Sequence, residues 1–159
     1  MTLEEMLARE SIRLAMARYT MAGDRLDTDA FAAVFTAEGI LETEGVAEQD
    51  AFRHVGRDEI HAWMARWRER AVAGGEGVHR ASFVRHHLST SLVELVDPGL
   101  ARARTYWTAY TDIGADHGGH YLDVLRRVDA TWLIAHRRVR LDWRSPGSRM
   151  FTAVARTRE

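Results

Sequence analysis

The 159-residue chain contains no cysteine. That excludes disulfides, a cysteine nucleophile, iron–sulfur clusters and thiolate zinc sites together. Lysine is also absent, all 22 basic residues being arginine. A catalytic lysine or Schiff base is therefore excluded, and the codon bias of a GC-rich genome is a sufficient reason for the usage. No apolar run approaches the roughly 20 residues of a membrane-spanning helix. The N-terminus, Met1-Thr2-Leu3-Glu4-Glu5, is acidic and lacks the basic-then-apolar order of a secretion signal. Neither sign of charge is in excess. The net charge is −1, so no overall field draws the chain to nucleic acid or to an anionic membrane. There is no Gly-x-Ser-x-Gly elbow, and Gly74-Gly75-Glu76-Gly77 does not match a phosphate-cradling loop. The expectation is a soluble, cytoplasmic protein that uses neither metal nor cofactor and contacts neither nucleic acid nor membrane.

What is present is an ordinary globular composition, 46% hydrophobic and 28% charged, at the length of a single domain over 1–159. Thr2 and Glu5 fit a capping box, and Met6, Ile12, Met16 and Tyr19 follow at helical spacing to about Met21, with Gly23 as the stop. Thr28 and Asp29 cap a short second helix, and a strand is predicted over Gly39 to Glu44. Gly56-Arg57-Asp58-Glu59 opens a third helix with Ile60, Trp63, Met64 and Trp67 on one stripe. Beyond Ala81 the period changes to two. Ala101, Ala103, Thr105, Trp107 and Ala109 alternate with Arg102, Arg104, Tyr106 and Tyr110. Asp97-Pro98-Gly99 marks a turn, 114–119 reads as a loop, and strands are predicted over His120 to Val128 and Thr131 to Trp143. Helices followed by long antiparallel strands with short turns give an α+β domain, with a core at about 8–143 and a tail at 144–159.

Eight histidines are the most informative count. His86 and His87 are adjacent on a predicted strand and point to opposite faces, so they cannot share one metal ion. His54, His61, His79 and His117 fall in polar or loop contexts that predict solvation. His120 and His136 fall in strands, where packing or a satisfied hydrogen bond is expected. By spacing alone Asp24 and His86 are two ionisable residues among many.

The run Ala17-Arg18-Tyr19-Thr20-Met21-Ala22-Gly23-Asp24-Arg25-Leu26-Asp27, followed by Phe31-Ala32-Ala33-Val34-Phe35-Thr36, resembles the opening of the SnoaL-like family. That family includes scytalone dehydratase and hexachlorocyclohexane dehydrochlorinase, within the nuclear-transport-factor-2-like superfamily. Val55-Gly56-Arg57-Asp58-Glu59-Ile60, Arg85-His86-His87-Leu88-Ser89-Thr90 and the closing hairpin from Tyr121 to Arg137 resemble later segments of the family in the same order. The resemblance implies a curved antiparallel sheet wrapped by N-terminal helices into a cone around one pocket. It implies His86 as general acid or base, Asp24 as its carboxylate partner, no cofactor, and assembly as a homodimer or homotrimer. Gly23 and Thr43 stand where scytalone dehydratase has tyrosines, and Gly119 and Tyr121 where it has a serine and an asparagine. Scytalone is thus not the expected substrate, and Tyr121, Tyr106 and Tyr110 become the candidate donors for polarising a carbonyl, Tyr121 first because of that correspondence. Phe35, Trp63, Met64, Trp67, Phe83 and Trp107 are candidate lining residues for a substrate pocket.

The implied activity is that of a lyase or isomerase acting on a small cyclic or polyketide-like substrate. Two alternatives stay open on the sequence. The small, non-catalytic subunits of aromatic-ring hydroxylating dioxygenases share this fold and an arginine–histidine pair like Arg85-His86. A ligand-binding domain without turnover is the other.

Overall fold

The computed structural model describes residues 1–44, 51–73 and 81–150. Helix α1 (Leu3–Arg25) opens on the expected capping box: the Glu5 backbone N–H donates to Thr2 Oγ1, and the Glu5 carboxylate accepts the Thr2 N–H. The helix runs past Gly23 and ends at Leu26, whose positive φ of 54° lets its N–H reach the carbonyls of Ala22 and Gly23. Gly23 therefore does not end the helix, and it packs against the Phe31 ring, which a Cβ there would meet at 3.4 Å. Asp27, not Thr28 or Asp29, caps α2 (Thr28–Ala33) through the Ala30 N–H. Strand β1 (Phe35–Glu44), the short β2 (Arg53–Val55) and helix α3 (Arg57–Ala73) follow. Four long strands then complete the chain: β3 (Arg85–Asp97), β4 (Leu100–Thr111), β5 (Gly114–Val128) and β6 (Thr131–Arg144).

These strands form one curved, unclosed sheet in the order β2-β1-β6-β5-β4-β3. From β3 to β6 the neighbours are antiparallel hairpins, but β1 lies parallel to β6, so the sheet is mixed. A parallel pairing needs a long connection, and local periodicity carries no trace of it. The alternation read in β4 is present: Ala101, Ala103, Thr105, Trp107 and Ala109 are buried, with the arginines outside. Helices α1, α2 and α3 lay Ile12, Met16, Tyr19, Phe31, Ile60 and Met64 against Phe35, Trp107, Tyr121, Leu125 and Ile134. Each such side chain contributes about 1.5–3 kcal/mol by leaving water.

The segment 114–119 is strand and not loop. Gly118 and Gly119 permit this, because β6 crosses so closely that a Cβ on Gly119 would sit 1.9 Å from the Arg140 carbonyl oxygen. Within the core lies a buried ion pair. Arg137 and Asp123 are fully buried and joined by two 2.7 Å hydrogen bonds, with the guanidinium 4.1 Å from the ring centres of both Tyr19 and Tyr121. Burial acts to lower the Arg137 pKa, but the Asp123 charge and hydrogen bonds outweigh it and the group is held firmly protonated.

Candidate active site

Asp24 stands in the last turn of α1, where a carboxylate faces the negative end of the helix dipole. Its position is unfavourable for the helix and is compensated from outside it. Strand β3 is a sheet edge, and its outward N–H at His86 donates to Asp24 Oδ2 at 3.0 Å. The His86 ring turns the same way, with Nδ1 2.6 Å from Asp24 Oδ1. One carboxylate thus holds both the backbone and the imidazole of a residue 62 positions away. An ionised carboxylate only accepts, so Nδ1 carries the hydrogen and Nε2 is the basic nitrogen. The Asp24 side chain is 9% exposed and that of His86 26%, so the carboxylate is enclosed while the ring remains reachable.

Trp107 of β4 lies beside His86, ring centres 5.7 Å apart, and stacks on Tyr121 of β5 at 5.6 Å. Its Nε1–H is buried without a hydrogen-bond partner among the described residues. Such an orphan costs about 1–3 kcal/mol in a core. Tyr121 is 3% exposed, and burial pushes its hydroxyl pKa well above the usual tyrosine range, so it remains a phenol. His87 points to the other face, against Tyr110 at 4.7 Å.

The other sequence candidates divide. Phe35 and Met64 are in the closed core. Trp63 and Trp67 pack on its margin, with Trp63 touching Phe31, Phe52 and His54. Phe83 is 42% exposed and stands outside that cluster. Among the histidines, His120 and His136 are bonded to Asp142 and Glu42, each at 2.7 Å, as strand histidines should be. His61 is half exposed and pairs with Asp29. His79 lies outside the described residues. His54 is half-buried: it stacks on Phe52 at 5.5 Å, and burial, followed by the Arg66 charge, lowers its pKa.

His117 departs furthest from expectation. It is 4% exposed and bonded through Nδ1 to the buried Asp116 at 2.7 Å. Its ring meets that of His86 edge-on at 6.2 Å and that of Trp107 at 5.5 Å. Nothing in the local sequence signals this, because the glycines around it read as loop. Two concavities, of about 680 Å³ on the outer sheet face around Arg102, Arg104 and His136 and of about 430 Å³ beside Arg18, Asp27 and Trp132, are both lined by other residues. Among the described residues no group of three or more His, Asp or Glu side chains is placed to hold a metal ion. No helix among them is long and apolar enough to cross a membrane.

The fold is that of several solved structures. A variant of Rv3472 from Mycobacterium tuberculosis, a protein of unknown function, is 25% identical over 97% of this chain and 83% of its own, with a TM-score of 0.71. A proposed scytalone dehydratase from Novosphingobium aromaticivorans is 20% identical over 99% of this chain and 100% of its own, also at 0.71. Hexachlorocyclohexane dehydrochlorinase LinA-type3 from Novosphingobium barchaimii is 13% identical over 96% and 98%, at 0.69. No curated protein sequence matches the chain. The family model of the SnoaL-like domain matches residues 4–138, most of the length, and the chain belongs to that family.

Proposed function

We propose that the protein is a cofactor-independent lyase or isomerase of the dehydratase type, acting on a small cyclic or polyketide-like compound through His86 and Asp24. The observation that carries this reading is the double hold of the Asp24 carboxylate on the His86 ring and backbone. It fixes one tautomer and one orientation, which is what a general acid or base requires. Removal of a proton beside a carbonyl by Nε2 leaves an imidazolium, and the adjacent carboxylate stabilises it. The developing enolate needs hydrogen-bond donors in a site that excludes water. Tyr121, which stays protonated, and the unpartnered Nε1–H of Trp107 are the donors in this proposal. The Trp107 ring beside His86 supplies apolar surface to the site.

Support of a coarser kind comes from the relatives. Two bear the names of a proposed scytalone dehydratase and a hexachlorocyclohexane dehydrochlorinase, names that denote elimination reactions. Assembly as a homodimer or homotrimer through the outer sheet face, where Arg102, Arg104 and Arg126 lie, belongs to the same proposal.

The test is a panel of cyclic β-hydroxy ketones followed by the ultraviolet absorbance of the conjugated enone. Wild type should turn over a member of the panel, and His86→Ala should lose about 10²–10⁴-fold in kcat. Activity that survives His86→Ala overturns the mechanism. Absence of turnover, with co-purification of a Rieske-type iron protein, would instead identify a dioxygenase small subunit.

A further inference from the structure

Helix α1 carries a second apolar face, turned away from the core. Its buried residues are Ile12, Ala15, Met16, Tyr19, Thr20 and Ala22. On the opposite side Leu3, Leu7, Leu14 and Met21 are between 47% and 67% exposed, and none belongs to the hydrophobic core or its margin. At 3.6 residues per turn these four fall within about 40° of one another. Scattered apolar residues on a surface are ordinary, but a row of them along one helix marks a contact. Leu7, Leu14 and Met21 recur every seven residues, with Leu3, Glu10 and Ala17 at the intermediate positions. That is the seam along which one helix packs lengthwise on another.

The charges beside the seam indicate which helix. Glu4, Glu5 and Glu10 lie in the N-terminal half, and Arg13, Arg18 and Arg25 in the C-terminal half. The dipole of a single helix favours that order, and the same order makes the helix complementary to a copy of itself run the other way. Among the described residues Glu4 meets Arg127 at 3.7 Å and Glu10 meets Arg13 at 3.6 Å, both at the surface, while Arg18 and Arg25 make no ion pair. Two such helices side by side in one direction would set carboxylate against carboxylate and guanidinium against guanidinium. Antiparallel about a two-fold axis at Leu14, that residue meets its own copy, Leu7 meets Met21, and the Glu4 turn meets Arg25. A groove completes the fit. Arg18, Met21 and Arg25 border a largely apolar concavity of about 430 Å³, with Trp132 and Leu133 of β6 on its far side. It lies at the C-terminal end of the seam, where the antiparallel arrangement brings the exposed Met1 and Leu3 of the second copy.

We propose that α1 is an interface between two copies of this chain, packed antiparallel about a two-fold axis at Leu14, with the N-terminal turn of each copy seated in the groove of the other. The contact is isologous, so it closes at two chains and does not propagate. It is separate from the outer sheet face, where Arg102, Arg104 and Arg126 lie, and it does not depend on the reading of His86. Assembly through both surfaces together doubles the number of chains: a sheet-face dimer becomes a tetramer, and a sheet-face trimer a hexamer.

Sedimentation velocity and an introduced disulfide test the proposal. Wild type should sediment as an even number of chains. Leu14→Glu sets two carboxylates against each other at the axis and should weaken association by about 10²-fold or more, halving the mass. Its circular dichroism should stay that of wild type, because the position faces solvent within one chain. Arg104→Glu, on the outer sheet face, should leave the α1 contact intact, which separates the two interfaces. The chain has no cysteine, so Leu14→Cys supplies a single thiol. Oxidation should join it to its own copy in high yield, whereas Ala37→Cys, at an exposed position of β1, should stay unlinked. A mass that Leu14→Glu leaves unchanged overturns the proposal, as does cross-linking of Leu14→Cys no faster than that of Ala37→Cys. A monomeric wild type overturns it too, and binding of that monomer to phosphatidylglycerol vesicles would assign the same stripe to a membrane surface instead.

Discussion

Replacing Asp24 by asparagine separates chemistry from stability at one atom. The carboxylate accepts from the His86 N–H at 3.0 Å and from Nδ1 at 2.6 Å. An asparagine carbonyl can keep one of these, but its amide then presents hydrogens to the other. Retaining the backbone bond turns the –NH₂ toward Nδ1, which must become the acceptor, and the ring hydrogen moves to Nε2. The base is thereby converted to a donor at its reactive nitrogen. A loss of about 10²–10⁴-fold in kcat follows, or about 3–5 kcal/mol of transition-state stabilisation. The stability change is far smaller. One charge-assisted hydrogen bond, about 1.5–3 kcal/mol, is lost, while removal of a negative charge from a helix C-terminus returns about 0.3–1 kcal/mol. The net of about 1–2 kcal/mol lowers Tm by roughly 2–8 °C in a domain of this size. Enone formation, thermal unfolding by circular dichroism and the ¹⁵N shifts of the His86 ring measure the three effects. An asparagine variant with wild-type turnover, or with the hydrogen still on Nδ1, would refute the reasoning.

Other outcomes follow from the same structure. Arg137→Met leaves the buried Asp123 carboxylate unpaired and should cost about 3–5 kcal/mol in urea unfolding; an unchanged midpoint would show that the pair is not enclosed. Gly119→Ala places a methyl 1.9 Å from the Arg140 carbonyl oxygen, which is backbone and cannot swing aside. Overpacking typically costs about 1–3 kcal/mol, and this contact should exceed it, with poor soluble yield as the readout. Acid should destabilise the fold in two stages, because His117 and Asp116 both have lowered pKa values in the folded state. In each case the unfolded chain binds the proton first, so stability rises with pH. The His117 contribution is complete above about 6.5 and is lost as pH falls through its folded value; that of Asp116 is complete above about 3.9 and lost below it. Urea midpoints of Asp116→Asn across this range should show a shallower acid limb than wild type, and parallel curves would exclude Asp116 as a source.

The amino-acid order by itself determined whatever depends on neighbours in the chain. The capping box at Thr2 and Glu5, the turn at Asp97-Pro98-Gly99 and the alternation from Ala101 to Ala109 each follow from hydrogen bonds or periodicity within a few residues. The excluded chemistries, from thiolate metal sites to Schiff bases, needed only the inventory. The ordered likeness to SnoaL-like segments singled out Asp24 and His86, although their spacing of 62 residues carries no signal of its own. Tertiary structure alone decided that α1 ends against the open edge of β3, which turns an ill-placed helix-terminal carboxylate into the partner of a histidine. It decided the parallel seat of β1 on β6 and the close crossing that makes 118–119 glycine. It also carried His117 from an expected solvated loop into the core, because β5 runs back to Gly114 and its alternation sets His117 opposite Ala109 on the inward face shared with Tyr121, with Asp116 as the extra residue just before it. Register and bulges are settled between strands, by which backbone groups find partners across the sheet, and no window of sequence contains both sides of that choice.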